Sequence, residues 1–168
     1  RVYSAGYING AGAVGVSTDR GLTWARTATA PAETVFGLAV DPRDALRAFA
    51  ASAGGVYRTT DGGASWDCVH RRAGMRAVAL FPGSEDTVIA AGDDGVFASF
   101  DNGTNWEDMS TGLDRHPVHC LEFTSEDAVR LYAGTADAAA YRYSFLTGIA
   151  TPPRPGSVRT RLSVRPSV

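Results

Sequence analysis

The sequence contains no lysine, two cysteines and no apolar run of the length that a membrane requires. Because a membrane-spanning helix needs about 20 consecutive apolar residues, we expect no membrane span. The formal net charge of -2 at pH 7 argues against a surface built to neutralise phosphates, so we expect no nucleic acid partner. Cys68 and Cys120 match no CxxC pattern. We expect two small buried thiols, no metal and no cofactor.

The sequence also lacks a helical pattern. No stretch of about ten residues carries apolar side chains at helical spacing, and glycine or proline interrupts every candidate helix. Short runs of small and apolar residues alternate with turn residues, which is typical of β-strands. With 168 residues, 44% of them hydrophobic, the chain can bury a core. The sequence therefore predicts an all-β fold.

A phrase of eight residues occurs three times, and we call each copy an Asp phrase. It starts with Ser or Thr, has Asp third, Gly fifth and Ser, Thr or Asn seventh, and ends with Trp. The Asp residues lie 42 and 40 residues apart, and such a period indicates one supersecondary unit copied along the chain. The fixed positions are Ser17, Asp19, Gly21 and Trp24; Thr59, Asp61, Gly63 and Trp66; and Ser99, Asp101, Gly103 and Trp106.

Each unit predicts four short antiparallel strands, with the Asp phrase between the third and the fourth. The strands of the second unit lie near 36–41, 47–52, 55–60 and 65–70, and those of the third near 75–81, 87–91, 94–99 and 105–109. Repeated four-stranded units of about 40 to 45 residues are typical of β-propeller blades. A sandwich or a barrel gives no reason for such repetition.

The first and last units are incomplete. Their strands lie near 2–7, 12–18 and 23–27, where the inner strand is missing, and near 118–124, 129–134 and 140–145. In the last unit Leu146 stands where Asp is expected. We therefore expect about four blades within residues 1–148, as part of a larger propeller. Residues 149–157 form a proline-rich linker, and 158–168 either start a further module or form a disordered tail.

The Asp phrase resembles the Asp-box, or BNR, repeat. Three copies in register carry the resemblance. This repeat occurs in sialidases, in xyloglucanase-type glycoside hydrolases, in sortilin-like receptors and in the photosystem II assembly factor family. The resemblance implies β-propeller blades in which the phrase forms the hairpin between the third and fourth strands.

The Asp phrases allow a structural and a chemical interpretation. In the first, the carboxylate accepts hydrogen bonds from its own turn, Gly supplies a positive φ and Trp packs between blades. In the second, Asp19, Asp61 and Asp101 are metal ligands or catalytic carboxylates. Residues that recur once per blade are spread around a ring, whereas catalysis needs groups that converge on one point. We therefore favour the structural interpretation.

The loops at the opposite ends of the strands are where we expect binding, because loops on a rigid scaffold commonly carry function. Each candidate has an ordinary alternative. Asp93 and Asp94 form either an acid–base pair or an ordinary hairpin turn. The arginines at 71, 72 and 76 either bind an anion or lie in a solvated loop. His116 and His119 are either a pair of metal ligands or ordinary surface residues. The candidates are Arg71, Arg72, Arg76, Asp93, Asp94, Arg115, His116 and Asp137.

Two functions fit these features. One is a non-catalytic scaffold or binding module of a secreted, periplasmic or cell-surface bacterial protein, with a protein or a carbohydrate as ligand. The other is a fragment of a xyloglucanase- or sialidase-like glycoside hydrolase whose catalytic residues lie outside this sequence. The Arg-Ile-Pro motif of sialidases is absent, and glutamate is scarce. We therefore prefer the binding module.

Overall fold

A computed structural model of the chain describes residues 1–8, 11–27, 31–111, 113, 116–124, 129–136 and 140–144. These residues form fourteen β-strands, and no helix occurs among them. The strands make four antiparallel sheets of three or four strands each. The all-β prediction is therefore confirmed.

Each sheet is built from strands that are consecutive in the sequence. Sheet 1 contains β1 (Val2–Ile8), β2 (Ala11–Ser17) and β3 (Ala25–Arg26), and sheet 2 contains β4 (Val35–Val40), β5 (Ala48–Ser52), β6 (Gly55–Thr59) and β7 (Asp67–His70). Sheet 3 contains β8 (Met75–Leu80), β9 (Val88–Gly92), β10 (Gly95–Ser99) and β11 (Glu107–Asp108), and sheet 4 contains β12 (Val118–Thr124), β13 (Arg130–Thr135) and β14 (Ala140–Ser144). The Asp phrases join the last two strands of sheets 1 to 3.

The four sheets stand side by side in sequence order. The inner strand β8 lies between the inner strands β4 and β12, and the contacts between sheets are concentrated at the first and second strands. This fan is the arrangement of blades around a propeller axis. In sheet 1 the Asp phrase joins β2 to β3, so β1 corresponds to the second strand β5. The described residues supply no counterpart of β4 in sheet 1, as predicted.

Apolar cores fill the spaces between the sheets. The second strands supply small side chains, and every residue of β5 and β9 is buried. Phe49, Met75 and Phe97 pack between sheets 2 and 3, and Ile89 and Leu131 pack between sheets 3 and 4. Because alternate residues of a strand face opposite sides, β5 and β9 each contribute to two cores.

Both cysteines are more exposed than expected. Cys68 is half-buried on β7, and Cys120 is exposed on β12. The prediction of two buried thiols is therefore wrong. Cys68 lies on the outermost strand of its sheet, and Cys120 follows a β-bulge that shifts the alternation of side chains by one residue.

Part of the predicted organisation lies outside the described residues. Leu146, the linker at 149–157 and the segment at 158–168 belong to this part. The boundaries of the predicted domains therefore stay predictions.

Candidate functional site

The Asp phrase of sheet 2 forms a closed network of hydrogen bonds. Asp61 Oδ1 accepts hydrogen bonds from the Thr59 hydroxyl at 2.8 Å and from the Ser65 N–H at 2.9 Å, and Oδ2 accepts one from the Ser65 hydroxyl at 2.5 Å. The Thr59 hydroxyl oxygen accepts a hydrogen bond from the Gly63 N–H at 2.9 Å. Each of these donors to the carboxylate belongs to its own turn.

The other two Asp phrases repeat this network. The Asp19 carboxylate accepts hydrogen bonds from the Thr23 N–H at 2.9 Å and from the Thr23 hydroxyl at 2.5 Å. The Asp101 carboxylate accepts them from the Asn105 N–H at 2.7 Å and from its side-chain amide at 2.6 Å. Sequence reasoning did not predict that the first and seventh residues of the phrase donate hydrogen bonds to the Asp carboxylate. Their recurrence as Ser, Thr or Asn is the signal that could have indicated this.

The hydrogen bonds stabilise the ionised form of these carboxylates. The Thr23 hydroxyl and N–H lower the pKa of Asp19 from its ordinary value of 3.8 to about 2. The Ser65 hydroxyl and N–H lower the pKa of Asp61 still further. Burial raises the pKa of Asp101, but the hydrogen bonds within its turn outweigh burial, so the net shift is downward. A carboxylate that is ionised at neutral pH is a poor general acid.

Two consecutive residues of each Asp phrase have positive φ angles, where the sequence predicted one. The φ angles are 63° at Arg20 and 90° at Gly21, and 59° at Asn102 and 87° at Gly103. Sheet 2 has the pair Gly62-Gly63 at these places. Glycine and asparagine adopt this left-handed backbone with little strain, which accounts for five of the six positions.

The three tryptophans have different surroundings. Trp66 is 7% exposed and packs between sheets 1 and 2, with its ring edge-on to Tyr3 at 6.5 Å between centroids. Trp106 stacks on His70 of sheet 2 at 4.8 Å between centroids. Trp24 is 48% exposed on the side of sheet 1 that faces away from sheet 2. Trp66 and Trp106 therefore connect sheets 2 and 3, respectively, to the preceding sheet.

The contacts of the Asp phrases support the structural interpretation. The Asp61 carboxylate already accepts three hydrogen bonds from its own turn. Its geometry stabilises a hairpin at the edge of the fan.

The opposite ends of the inner strands share a different feature, a β-bulge. In each inner strand, one residue has no pairing partner in the second strand of the sheet. The skipped residues are Phe36 in β4, Arg76 in β8 and His119 in β12, and we call them the bulge row. A bulge leaves one residue unpaired and re-aims its side chain, and bulges are over-represented near functional sites.

Phe36 and Arg76 contact each other across two sheets. The Arg76 guanidinium carbon lies 5.4 Å from the centroid of the Phe36 ring, which is a cation–π contact. Arg76 Nε and Nη2 donate hydrogen bonds to the Asp93 carboxylate at 2.6 and 3.3 Å. Phe36 is 48% exposed, and His119 is exposed as well. The bulge row therefore presents an aromatic ring, a cation and an imidazole on the surface.

Asp93 and Asp94 form the two-residue turn between β9 and β10. Each pairs with a different arginine, Asp93 with Arg76 and Asp94 with Arg72, the latter at 3.3 Å. Arg71 is exposed and forms no ion pair within the described part of the chain. The structure thus brings three arginines and two aspartates to one rim, on which Glu33 also lies.

The remaining candidates do not join this group. His116 is half-buried and stacks on Tyr141 at 6.2 Å between centroids. Arg115 and Asp137 lie outside the described residues. Sequence reasoning missed Phe36, although it occupies the same place in its inner strand as Arg76. Comparison of the aligned units is the signal that could have found it.

The geometry defines a class of protein by fold, the β-propeller, and solved structures agree. The chain is similar to a GH74 xyloglucanase from Xanthomonas campestris, with a TM-score of 0.67 and 22% identity over 93% of this chain and 30% of that chain. An ancestral GH74 enzyme gives 0.65 and 22% over 83% and 22%. YCF48 bound to D1 peptide gives 0.60 and 13% over 88% and 47%.

The chain thus spans less than half the length of each of these three structures. At these identities the likeness defines the fold alone. The chain matches no protein-family model, and a search of curated proteins finds no significant match.

No helix within the described residues is long and apolar enough to cross a membrane.

Proposed function

We propose that the chain is a non-catalytic binding module that takes a protein ligand on the bulge row. The observation that carries the proposal is the contact at 5.4 Å between the exposed Phe36 ring and Arg76, on adjacent inner strands. Aromatic residues and arginine are enriched in protein interfaces and dominate their binding energy. The rigid sheets behind both residues hold them in place.

The arginines of this rim favour an anionic group on the ligand. Arg71 is exposed and forms no ion pair among the described residues, whereas the other two arginines pair with Asp93 and Asp94. Arginine binds carboxylates with two parallel hydrogen bonds, and the Phe36 ring offers contact to an apolar side chain. Both features fit a peptide segment that carries a carboxylate next to an apolar residue. YCF48, a similar fold, has been solved bound to D1 peptide.

We further propose that the Asp phrases are Asp-box, or BNR, repeats. Three turns with the same hydrogen bonds, the same backbone and the same Trp support this assignment. The resemblance also motivates a location outside the bacterial cytoplasm, either secreted, periplasmic or at the cell surface. Fractionation of the source cells tests the location, and recovery from the cytosol alone would contradict it.

A glycoside hydrolase fragment is the second candidate, and the similarity to two GH74 enzymes favours it. Glycoside cleavage needs two carboxyl groups, one of them an acid with a raised pKa. Among the described residues, the carboxyl groups with clearly shifted pKa values are shifted downward, namely Asp19, Asp41, Asp61 and Asp101. A hydrolase would therefore take its acid from a residue other than these four.

A binding screen tests the proposed function. The probes are short peptides with Asp or Glu next to Leu or Phe, matched peptides with Asn or Gln instead, and xyloglucan oligosaccharides. We expect binding to the acidic peptides and weaker binding to their amide counterparts. Because residues that dominate an interface contribute about 2 kcal/mol or more, Arg76→Ala and Phe36→Ala should each weaken binding about tenfold or more.

Arg43→Ala is the matched control. Arg43 lies at the Asp-phrase ends of the strands, in an exposed ion pair with Glu85 at 3.4 Å, and its loss should leave the Kd unchanged. Equal losses in Arg43→Ala and Arg76→Ala would contradict the proposal, and so would equal affinity for acidic and amide peptides. Binding to the oligosaccharides alone would favour the hydrolase fragment.

A further inference from the structure

The Asp phrase of sheet 3 contains a chemically labile pair, Asn102-Gly103. In such a pair the backbone nitrogen of the glycine can attack the side-chain carbonyl carbon of the asparagine, because glycine has no side chain that hinders the approach. The other two phrases have Arg20 and Gly62 at the place of Asn102. This reaction of asparagine is therefore available to one of the three Asp phrases.

The reaction is deamidation, and its products change the turn. The Gly103 nitrogen forms a bond to Cγ of Asn102, and the side-chain nitrogen leaves as ammonia with the proton of the Gly103 N–H. Water then opens the resulting succinimide at either carbonyl and gives aspartate or isoaspartate. Isoaspartate adds one carbon to the backbone between two residues with positive φ, 59° at Asn102 and 87° at Gly103. This longer backbone does not fit the turn.

Contacts within sheet 3 hold the backbone on both sides of Asn102. The Gly103 N–H donates a hydrogen bond to the Ser99 hydroxyl oxygen at 2.8 Å. Because the nitrogen must lose this proton when it attacks, the hydrogen bond has to break first. The Asn102 N–H donates a hydrogen bond to the Asp86 carbonyl at 2.8 Å. The attacking nitrogen is therefore engaged as long as the turn keeps its hydrogen bonds.

Two arginines of sheet 2 hold the carbonyl and the side chain of Asn102. Arg58 Nη1 donates a hydrogen bond to the Asn102 carbonyl at 2.7 Å, and Arg47 Nη1 donates one to its side-chain Oδ1 at 3.2 Å. Arg47 is itself fixed by an ion pair with Asp41, and the two side chains are only 13% and 5% exposed. The Asn102 side chain therefore stays in place while sheets 2 and 3 remain in contact.

We propose that Asn102 is a modification site that sheet 2 protects, and that it deamidates when Arg58 and Arg47 release the Asp phrase of sheet 3. Local opening of one contact needs less free energy than unfolding of the whole fold. Deamidation of Asn102 therefore records how often sheets 2 and 3 separate. The sequence has one other Asn-Gly pair, Asn9-Gly10, which lies outside the described residues.

Mass spectrometry of tryptic peptides after incubation at neutral pH measures the reaction. Cleavage after arginine places Asn9 in the peptide 2–20 and Asn102 in the peptide 77–115, and fragmentation distinguishes Asn102 from Asn105. In urea the two Asn-Gly pairs should react at similar rates. In the folded wild type, Asn102 should react at least about tenfold more slowly than in urea, because opening of the contact must precede the reaction.

Arg58→Met tests the role of sheet 2. The variant loses the hydrogen bond to the Asn102 carbonyl and keeps an apolar stem, so Asn102 should deamidate about tenfold faster than in the folded wild type. Arg43→Met is the matched control, because Arg43 also belongs to sheet 2 but pairs with Glu85. Trp66→Phe is a second control, since Trp66 packs between sheets 1 and 2. Both controls should react as the wild type does.

The proposal is overturned if Asn102 of the folded wild type reacts as fast as in urea, or if either control reacts as fast as Arg58→Met. Circular dichroism verifies that each variant folds. If Arg58→Met does not fold, the urea dependence of the wild-type rate decides. Opening of one contact exposes less surface than global unfolding, so the logarithm of the rate should rise less steeply with urea than that of the unfolding constant. Equal slopes would overturn the proposal.

Discussion

The Asp61 carboxylate is bound at both of its oxygens by donors of its own turn. A carboxylate that accepts several hydrogen bonds is stabilised in its charged form. The lowered pKa values of Asp19 and Asp61 follow from these hydrogen bonds. The negative charge therefore stabilises the turn, and the oxygens that a metal or a substrate would need are already engaged.

Because the carboxylates of the Asp phrases are stabilised by folding, we expect the protein to lose stability in acid. A group with a lowered pKa in the folded state contributes stability above its unfolded pKa and loses it as the pH falls through its folded pKa. For Asp19 this window runs from 3.8 down to about 2. The Tm measured by circular dichroism should change little between about pH 7 and about pH 5, and fall below about pH 4.

Asp61→Asn isolates the contribution of one carboxylate to this pH dependence. The variant should have a lower Tm than the wild type at neutral pH. The Asn side chain has one oxygen, so it can accept at only one of the two positions where the Ser65 N–H and hydroxyl donate, and its NH2 group cannot accept at the other. Its Tm should also fall less in acid, since one titrating group is gone. Asp67→Asn, at an exposed position on β7, is the control and should follow the wild type. Parallel curves for wild type and Asp61→Asn would contradict the assignment.

At the scale of the sheet, the tryptophans offer a matched comparison. Trp66 packs between two sheets at 7% exposure, whereas Trp24 occupies the same place in its phrase at 48% exposure. Trp66→Ala should lower the free energy of unfolding by about 3 to 5 kcal/mol, as for other buried aromatic residues. Trp24→Ala should lower it by less than about 1 kcal/mol. Urea unfolding at low protein concentration measures both, and similar losses would contradict the packing described.

The sheets could be located from the sequence because the turns have local causes. The Asp, Gly and Trp of each phrase lie within eight residues, so one pattern placed the hairpins of sheets 1 to 3. The last strands of sheets 1 to 3 begin later than predicted, because the residue before each Trp donates its backbone N–H to the Asp carboxylate of the turn. This contact ties the residue to the turn, and β3, β7 and β11 begin after the Trp.

The bulge row could not be predicted from the sequence in the same way. Which residue of β4 is skipped depends on its pairing with β5, which starts more than ten residues further on. Arg76 was found because it lies near two other arginines, whereas nothing local distinguishes Phe36 in its apolar strand. A bulge at the corresponding place in β12 shifts the alternation of side chains by one residue, which explains the exposure of Cys120.

At the scale of the whole molecule, the described fan of four sheets has two kinds of surface. The Asp phrases lie at one end of the strands, and those of sheets 2 and 3 contact the preceding sheet. The bulge row and the group of three arginines and two aspartates lie at the other end. We propose that these ends have separate roles: the Asp phrases stabilise the fold, and the bulge row binds a ligand.

Isothermal titration calorimetry with the tightest acidic peptide from the screen tests this separation most directly, combined with the Tm of each variant. Arg76→Ala should raise the Kd about tenfold or more with little change in Tm, because exposed ion pairs contribute about 1 kcal/mol or less to stability. Asp61→Asn should lower the Tm and leave the Kd unchanged. An Asp61→Asn variant that loses binding at an unchanged Tm, beside an Arg76→Ala variant that binds normally, would contradict the account.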